Sequence, residues 1–460
     1  MKNKYNRERI LTNLINYVDL EWAIGLQRSM LKIVGLWPQQ SKNQRKEFLS
    51  KFQFLFTTIV TIFVLTIPAL AALRRVWGDL MQMVDNLQLS LPLLVTVLKI
   101  FIMWYKKGAL SLLINMIMKD WMRIKMEEER SVMLKKARIT RLFATIGAFV
   151  TFIAASSRTS AVFFKEYFEH DSTTSNLTNF ERSFPVPAYY LYDVSSSPTY
   201  ELMYLLQTIA LFTCALTYIA IDNFLGLLIF HVCGQMENLH LRLLNLGKNS
   251  NFKAVLKYNV TDHIRLIRSV EVIDDTFYLL LLSMLLIFSI LFSLHGFLII
   301  NVVNQDTHQL SIMQMTSYIF TSISISMHTC LYCAVGELLV IQSEKIHSAT
   351  YECLWYTLEP KTVRSLILIM LCAKKPANIT AGKIVPMTMS TFCNVSYVIN
   401  TKYKIIFLLF LFKLSYKMYC SMRLLYASFN INILLLKYKT FQLLKTAGSY
   451  LSVLLASRNE

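Results

Sequence analysis

The chain has 460 residues, 55% of them hydrophobic and 16% charged, with mean hydropathy +0.44 and a formal net charge of +19. Apolar stretches this long and this numerous exceed what a soluble core holds, so the composition excludes a soluble globular domain. The apolar runs have helix length and lack the alternation of barrel strands, so the predicted fold class is all-α: a polytopic membrane protein with seven transmembrane helices.

In chain order, residues 1 to 51 form a polar, basic arm. It lacks the short apolar core and small-residue cleavage site of a signal peptide, so the first span is expected to act as an uncleaved anchor. Within the arm, Trp22 to Leu36 is amphipathic and basic, which suits a helix lying on the inner membrane surface or a solvated loop helix. Apolar runs follow at Phe52 to Leu73, Leu87 to Tyr105, Leu142 to Phe164, Leu202 to Phe230, Phe277 to Val303 and Ile312 to Ile341. Each is near the roughly 20 residues that cross a bilayer. A seventh begins near Ile384.

The connections between these runs alternate in charge. Lys and Arg crowd the arm, the stretch from Lys106 to Arg141, the stretch from Arg242 to Arg268 and the stretch from Lys345 to Lys375. The intervening connections hold only Arg74, Arg75, Lys165 and Arg182. By the positive-inside rule the N-terminus is cytoplasmic, and seven spans then place the C-terminus outside. Because the excess is partitioned by topology and not gathered into one domain, membrane lipid is the expected partner and nucleic acid is not.

The long outer connection carries Glu166, Glu169, Asp171, Glu181 and Asp193, and the sequon Asn176-Leu-Thr, which this orientation exposes to glycosylation. The sequons at Asn259 and Asn378 are expected to face the cytoplasm and stay bare. All eight cysteines fall in spans, inner connections or the C-terminal region, so no extracellular disulfide framework is expected. Cys330 and Cys333 form a C-x-x-C within an apolar helix, where small packing residues are the simpler account.

No motif for enzymatic chemistry is present: there is no H-E-x-x-H, G-x-S-x-G, phosphate-cradling glycine loop or zinc-spaced Cys/His cluster. The expectation is no enzyme, no cofactor and no metal. His231, His263 and His295 have no partner visible by spacing. Asp222 and Glu337 are the conspicuous acids inside apolar runs, costly enough in lipid to suggest function, though either could face another helix or the inner boundary.

Several motifs recur in a recognisable order. Gly35-Leu-Trp-Pro38 precedes the first run, and Phe184-Pro-Val-Pro-Ala-Tyr-Tyr190 leads through Pro198 and Tyr200 to Gln207. His231-Val-Cys-Gly-Gln235, His263 to Arg268 and Asp274-Asp275 follow. Then come Gly336-Glu337, Ser343, Tyr351-Glu-Cys-Leu-Trp355-Tyr356, Lys374-Lys-Pro376 and Thr380-Ala-Gly382. Over residues 20 to 392 the chain resembles an insect odorant receptor.

That resemblance implies a seven-helix subunit of a ligand-gated, nonselective cation channel. It would form a heterotetramer with the shared odorant co-receptor in the plasma membrane of olfactory sensory neurons. Family subunits meet at the inner ends of the last helices, where Tyr351, Trp355 and Tyr356 fall here. Interface aromatics of the membrane boundary would account for them equally well. In the implied topology the outer halves of spans two, three, four and six converge, offering Phe152, Ser156, Ser160, Phe163, Tyr204, Phe212, Met315 and Phe320 to a small volatile ligand. Ordinary helix packing or lipid contact would account for any one of them. Burying about 150 to 250 Å² of apolar ligand at ~25 cal/mol/Å² contributes roughly 4 to 6 kcal/mol, which predicts binding near or above tens of micromolar. The family's pore helix is the second part of the last span, which resembles Lys445-Thr-Ala-Gly-Ser-Tyr450 here: Thr446, Ala447, Gly448 and Tyr450, with Val453 beyond.

Here the chain departs from the family pattern. After Thr391-Phe-Cys-Asn394 it carries residues 395 to 441 before the pore segment resumes at 442 to 460. Joined directly, Ile384 to Asn394 and Gln442 to Leu455 make one span of about 25 residues, enough to cross. The intervening stretch has no Asp or Glu and consists largely of Lys, Tyr, Ile, Leu, Phe and Asn, residues of AT-rich codons. A retained in-frame intron or gene-model error is expected, the alternative being an isoform with an extra re-entrant or surface hairpin. The expected organisation is therefore an arm (1–51), spans one to six with the start of the seventh (52–394), an insertion (395–441) and the remainder of the seventh (442–460).

Other classes fit less well. A G-protein-coupled receptor has seven helices but an outside N-terminus and usually an extracellular disulfide. A gustatory-type chemoreceptor channel would share the architecture and differ in its tail motif and in not needing the co-receptor. A transporter would show internal repeats, and none is visible.

Overall fold

The structure is a computed structural model describing residues 2–38, 43–172, 184–190, 194, 196–246, 252–304, 312–353 and 360–394. Nine helices are defined among the described residues: α1 (Lys2–Ile33), α2 (Gln44–Arg75), α3 (Leu80–Tyr105), α4 (Lys107–Met122), α5 (Glu127–Ser172), α6 (Thr199–Leu244), α7 (Phe252–Asn304), α8 (Ile312–Glu352) and α9 (Pro360–Ala373). A two-stranded hairpin, β1 (Thr380–Ala381) and β2 (Val385–Pro386), precedes the start of a further helix at 389–394. Five stretches, in α2, α3, α5, α6 and α7, are long and apolar enough to cross a membrane. The sixth apolar run lies in α8.

The helices run well past the apolar runs that define them. α5 begins at Glu127 and α6 continues to Leu244, because ion pairs take over where hydrophobicity ends. The two are antiparallel: Glu129 meets Arg242, Lys136 meets Glu237, Phe143 stacks on Phe230, and Phe152 reaches Phe212. The end holding Glu129 and Arg242, where the basic connections lie, is here termed the basic end. From Ile219 to Leu239 nearly every α6 side chain is buried or half-buried, which makes α6 the central helix.

α1 is longer than the amphipathic segment expected at Trp22 to Leu36. It starts at Lys2, packs Leu20, Ala23, Ile24 and Leu31 into the core, and leaves Ile10, Leu11, Leu14 and Val18 exposed on its other face. It stops at Gly35, whose N–H bonds to Lys32 while the N–H of Leu36 reaches back to Leu31, a left-handed helix cap. Gly35 has φ +72°, and a Cβ there would lie 2.3 Å from the Phe54 nitrogen. That close approach explains the glycine, and Trp37 then packs edge-on against Phe224 at 6.1 Å.

α2 contains a π-helical stretch, Val60–Thr66, just before Pro68. Proline supplies no N–H, so the widened turn suits the sequence there, and Thr66 Oγ1 donates to the Thr61 carbonyl at 2.7 Å.

Candidate functional site

Three levels along α6 carry polar or aromatic contacts. Farthest from the basic end, the Phe184 to Tyr190 segment folds onto α2 and α6. Gln207, fully buried on α6, accepts from the Val186 N–H at 3.1 Å and donates to Tyr190 Oη at 2.8 Å. The Tyr189 N–H donates to Pro68, and Arg75 stacks 3.4 Å over the Tyr189 ring. Phe184 packs against Tyr190 and Tyr200, so the aromatic motif and Gln207 are one packed unit.

At this level the candidate ligand residues lie along the α5 and α6 seam. Phe152 and Phe212 have ring centroids 5.3 Å apart, and Tyr204 Oη donates to the Thr159 carbonyl at 2.8 Å. Phe152 is 60% exposed, so its ring partly faces away from the bundle. Ser156 is half-buried, while Ser160 is exposed and bonded within its own helix to Ser157. The side chains of Phe163, Met315 and Phe320 lie outside the described part of the structure. The structure thus pairs Phe152 with Phe212, while Tyr204 meets α5 about two turns away, at Thr159.

About 15 Å farther along α6, at 1.5 Å per residue, lies a constellation that spacing did not reveal. Lys99 of α3, fully buried, places Nζ 2.5 Å from Asp222 Oδ1 of α6. Its ammonium also sits 3.2 Å from the centroid of the Tyr218 ring. The other oxygen, Oδ2, lies 3.2 Å from His328 Nε2 of α8. Asp222 is conspicuous in the sequence as an acid in an apolar run; its partners are not. The available signal was Lys99 itself, a cation in the middle of the second run.

At the basic end the carboxylates and cations pair off. Asp120 of α4 accepts from Arg265 of α7 at 2.5 Å and faces His231 Nε2 of α6 at 3.0 Å. Desolvation pushes the Asp120 carboxyl up, but His231 and Arg265 together outweigh it and hold the group below the usual carboxylate range. Asp262 bonds both Arg265 and Arg242, and Lys136 pairs with Glu237 at 2.5 Å. His231 therefore has a partner after all, 111 residues away in sequence. A small cavity of about 20 Å³ lined by Trp121, Lys136, Thr140 and His231 has room for one water.

The hairpin is the fourth feature. Asp274 of α7 accepts from the Thr380 N–H at 2.6 Å, Thr380 Oγ1 at 2.9 Å and Lys383 Nζ at 2.5 Å. The Gly382 N–H donates to the Tyr278 carbonyl at 2.9 Å, and Gly382 and Lys383 both take positive φ, as the tight turn requires. From the α8 side, Ser343 accepts from the Ala377 N–H at 2.9 Å, and Glu337 lies 3.4 Å from the Met389 nitrogen. Gly336 lets the Met387 carbonyl approach: a Cβ there would sit 2.0 Å from that oxygen. The motifs Asp274-Asp275, Gly336-Glu337, Ser343 and Thr380-Ala-Gly382 are thus the two sides of one clasp.

Cys330 and Cys333 are buried and free, in keeping with packing residues. Asn259 is fully buried in α7, consistent with a bare sequon. Tyr351 is exposed near the end of α8. Trp355, Tyr356, Asn176, the stretch from 395 to 441 and the pore candidates Thr446, Ala447, Gly448, Tyr450 and Val453 lie outside the described residues.

Long membrane-crossing helices packed about a buried central helix define a polytopic α-helical membrane protein. Residues 79–399, more than half of the chain, match the family model described as 7tm Odorant receptor, and the chain belongs to that family, one of receptors and not of enzymes. It is 29% identical over 230 residues to Odorant receptor 13a of Drosophila melanogaster, covering 46% of this chain and 54% of that one. It is 29% identical over 223 residues to Odorant receptor Or2 of Anopheles gambiae, covering 45% and 56%. The chain spans about half the length of these curated relatives. Its fold is similar to that of the olfactory receptor OR5 from Machilis hrabei, with TM-score 0.69, 14% identity and coverage of 84% of this chain and 98% of that one. OR5 in complex with eugenol aligns with TM-score 0.68 at 13% identity, covering 87% and 100%.

Proposed function

We propose that this odorant receptor binds small volatile molecules and gates a nonselective cation channel as a heterotetramer with the odorant co-receptor, in the plasma membrane of olfactory sensory neurons. Family membership over residues 79–399 carries this conclusion. The N-terminus is cytoplasmic and the C-terminus extracellular, which the basic connections support. The ligand lies among α3, α5, α6 and α8, with Phe152, Ser156, Ser160, Phe163, Tyr204, Phe212, Met315 and Phe320 as its walls. That OR5 was solved with eugenol supports a site of this chemistry. Tyr351, Trp355 and Tyr356 anchor the subunit contact, and Thr446, Ala447, Gly448, Tyr450 and Val453 line the pore. An odorant opens the channel to the extent that it binds the open arrangement better than the closed one.

Residues 395–441 are a retained in-frame intron or a gene-model error that cuts the pore helix, so the full chain binds ligand but does not conduct. The family match ending at residue 399, just inside this stretch, supports this. Co-expression of the full chain, and of a version lacking 395–441, with the co-receptor under a panel of volatiles tests both statements. Odorant-evoked current is expected only from the shortened chain. Equal currents from both would overturn the broken-pore assignment, and silence from both across a broad panel would count against the channel role.

A further inference from the structure

His328 sits where three helices meet. Its Nε2 faces the Asp222 carboxylate at 3.2 Å, and its ring is enclosed by Tyr218 at 5.5 Å, Phe288 at 5.6 Å and Tyr332 at 5.3 Å between centroids. Lys99 already supplies Asp222 with a cation at 2.5 Å, so the pair is neutral without any charge on the imidazole. A ring nitrogen facing a carboxylate must be the one that carries hydrogen. With Nε2–H committed to Asp222, a neutral His328 leaves Nδ1 as a lone-pair acceptor. Among the described residues no group donates to Nδ1, and the side chain keeps 27% exposure, while Lys99 keeps none. The carboxylate behind the ring also makes that lone pair a stronger acceptor, as it does for histidines oriented by an acid elsewhere.

We propose that His328 Nδ1 accepts a hydrogen bond from the ligand's hydroxyl, so that this receptor takes small volatile alcohols or phenols in preference to their ethers. The Tyr218, Phe288 and Tyr332 rings surround the imidazole, so the ligand's hydroxyl end lies at this level with its apolar body extending toward Phe212, and Asp222, held by Lys99, fixes the tautomer. This rests on the odorant-binding role proposed above and names the chemical class of the ligand. An ether or hydrocarbon offers no donor to Nδ1; a ketone or ester brings a second acceptor to the same place.

The test uses the full chain in lipid nanodiscs and needs no current. Equilibrium binding is measured by saturation-transfer NMR for two matched pairs, 4-ethylphenol with 4-ethylanisole and 1-octanol with its methyl ether. The hydroxyl compound of at least one pair is expected to bind about tenfold more tightly than its ether, the size of one well-made hydrogen bond. His328→Phe keeps the ring area and removes the acceptor, so it should bring the pair within about twofold by weakening the hydroxyl compound alone. His328→Gln keeps both a donor for Asp222 and an acceptor for ligand, and should retain most of the preference. Equal affinities within both pairs for the unaltered chain would overturn the His328 assignment while leaving odorant binding intact. A preference that survives His328→Phe would do the same. Failure of the unaltered chain to bind any of the four would overturn the His328 assignment and leave odorant binding to be decided by the broad panel of volatiles. If His328→Phe does not fold, the comparison within pairs and the His328→Gln variant still decide.

Discussion

Lys99 and Asp222 show how a single residue pair changes in value between lipid and water. Both are buried, with side-chain exposures of 0% and 10%, so removing Asp222 leaves the Lys99 charge without its carboxylate, and removing Lys99 leaves the Asp222 charge with only the His328 imidazole. Lys99→Met or Asp222→Asn alone should cost about 3 to 5 kcal/mol, read as a lower melting temperature in detergent. The double replacement Lys99→Met with Asp222→Leu should recover most of that loss, since an apolar pair removes both desolvation penalties. A double variant no more stable than either single one would mean that the pair is not coupled. Asp120 acts differently because it lies in α4, outside the membrane-crossing stretches, and its carboxyl titrates below the usual range. A folded-state value below the unfolded one means that its stabilisation is complete above about pH 4 and is lost as pH falls through the folded value. Asp120→Asn should therefore lower the melting temperature at neutral pH and flatten its decline between about pH 5 and pH 3. An unchanged acid limb would assign acid sensitivity to other carboxylates.

Among the elements, the hairpin at 380–386 holds the start of the last helix between α7 and α8. Its contacts are polar and directional: Asp274 takes three donors from it, and Gly336 admits the Met387 carbonyl at a distance no side chain permits. Asp274→Asn should speed hydrogen exchange at the amides of Thr380, Gly382 and Met387 by about tenfold, with the amides of α5 and α6 unaffected. Uniform loss of protection would instead mean global destabilisation. Desolvation pulls the Lys383 ammonium down, but its bonds to Asp274 and Asp275 hold it above the usual lysine range. Its share of stability is thus complete below the unfolded value and is lost only as pH rises through the folded one, so the clasp should be constant from pH 6 to 9. Gly336→Ala should displace the 389–394 helix start, and with it the proposed pore segment in a chain lacking 395–441.

Over the whole molecule, what could be read from sequence followed the physics that dominates each region. The spans were legible because roughly 20 apolar residues cross a bilayer and little else looks like that. Helix ends were not, because beyond the apolar runs α5 and α6 are joined by Glu129 with Arg242 and Lys136 with Glu237, pairs that no local pattern announces. Asp222 was visible as an oddity, yet its partner Lys99 is 123 residues away and could be found only in three dimensions. The motifs Phe184 to Tyr190 and Thr380 to Gly382 were recognisable as words; that Gln207 and Asp274 are what they bind was not. Charge partition is the one whole-molecule property the sequence states outright, and it leads to a test of orientation. If the basic connections face the cytoplasm, the loop bearing Asn176 is outside, and the chain made in insect cells should shift to higher mobility with an N-glycosidase. Asn176→Gln should abolish that shift, while Asn259→Gln should not, since Asn259 is fully buried in α7. A cysteine placed in the arm at position 3 should react with a membrane-impermeant maleimide only after permeabilisation. Labelling of intact cells at that position, or a glycan that depends on Asn378, would reverse the orientation; the Lys and Arg excess would then face outward, against the rule that orients membrane helices.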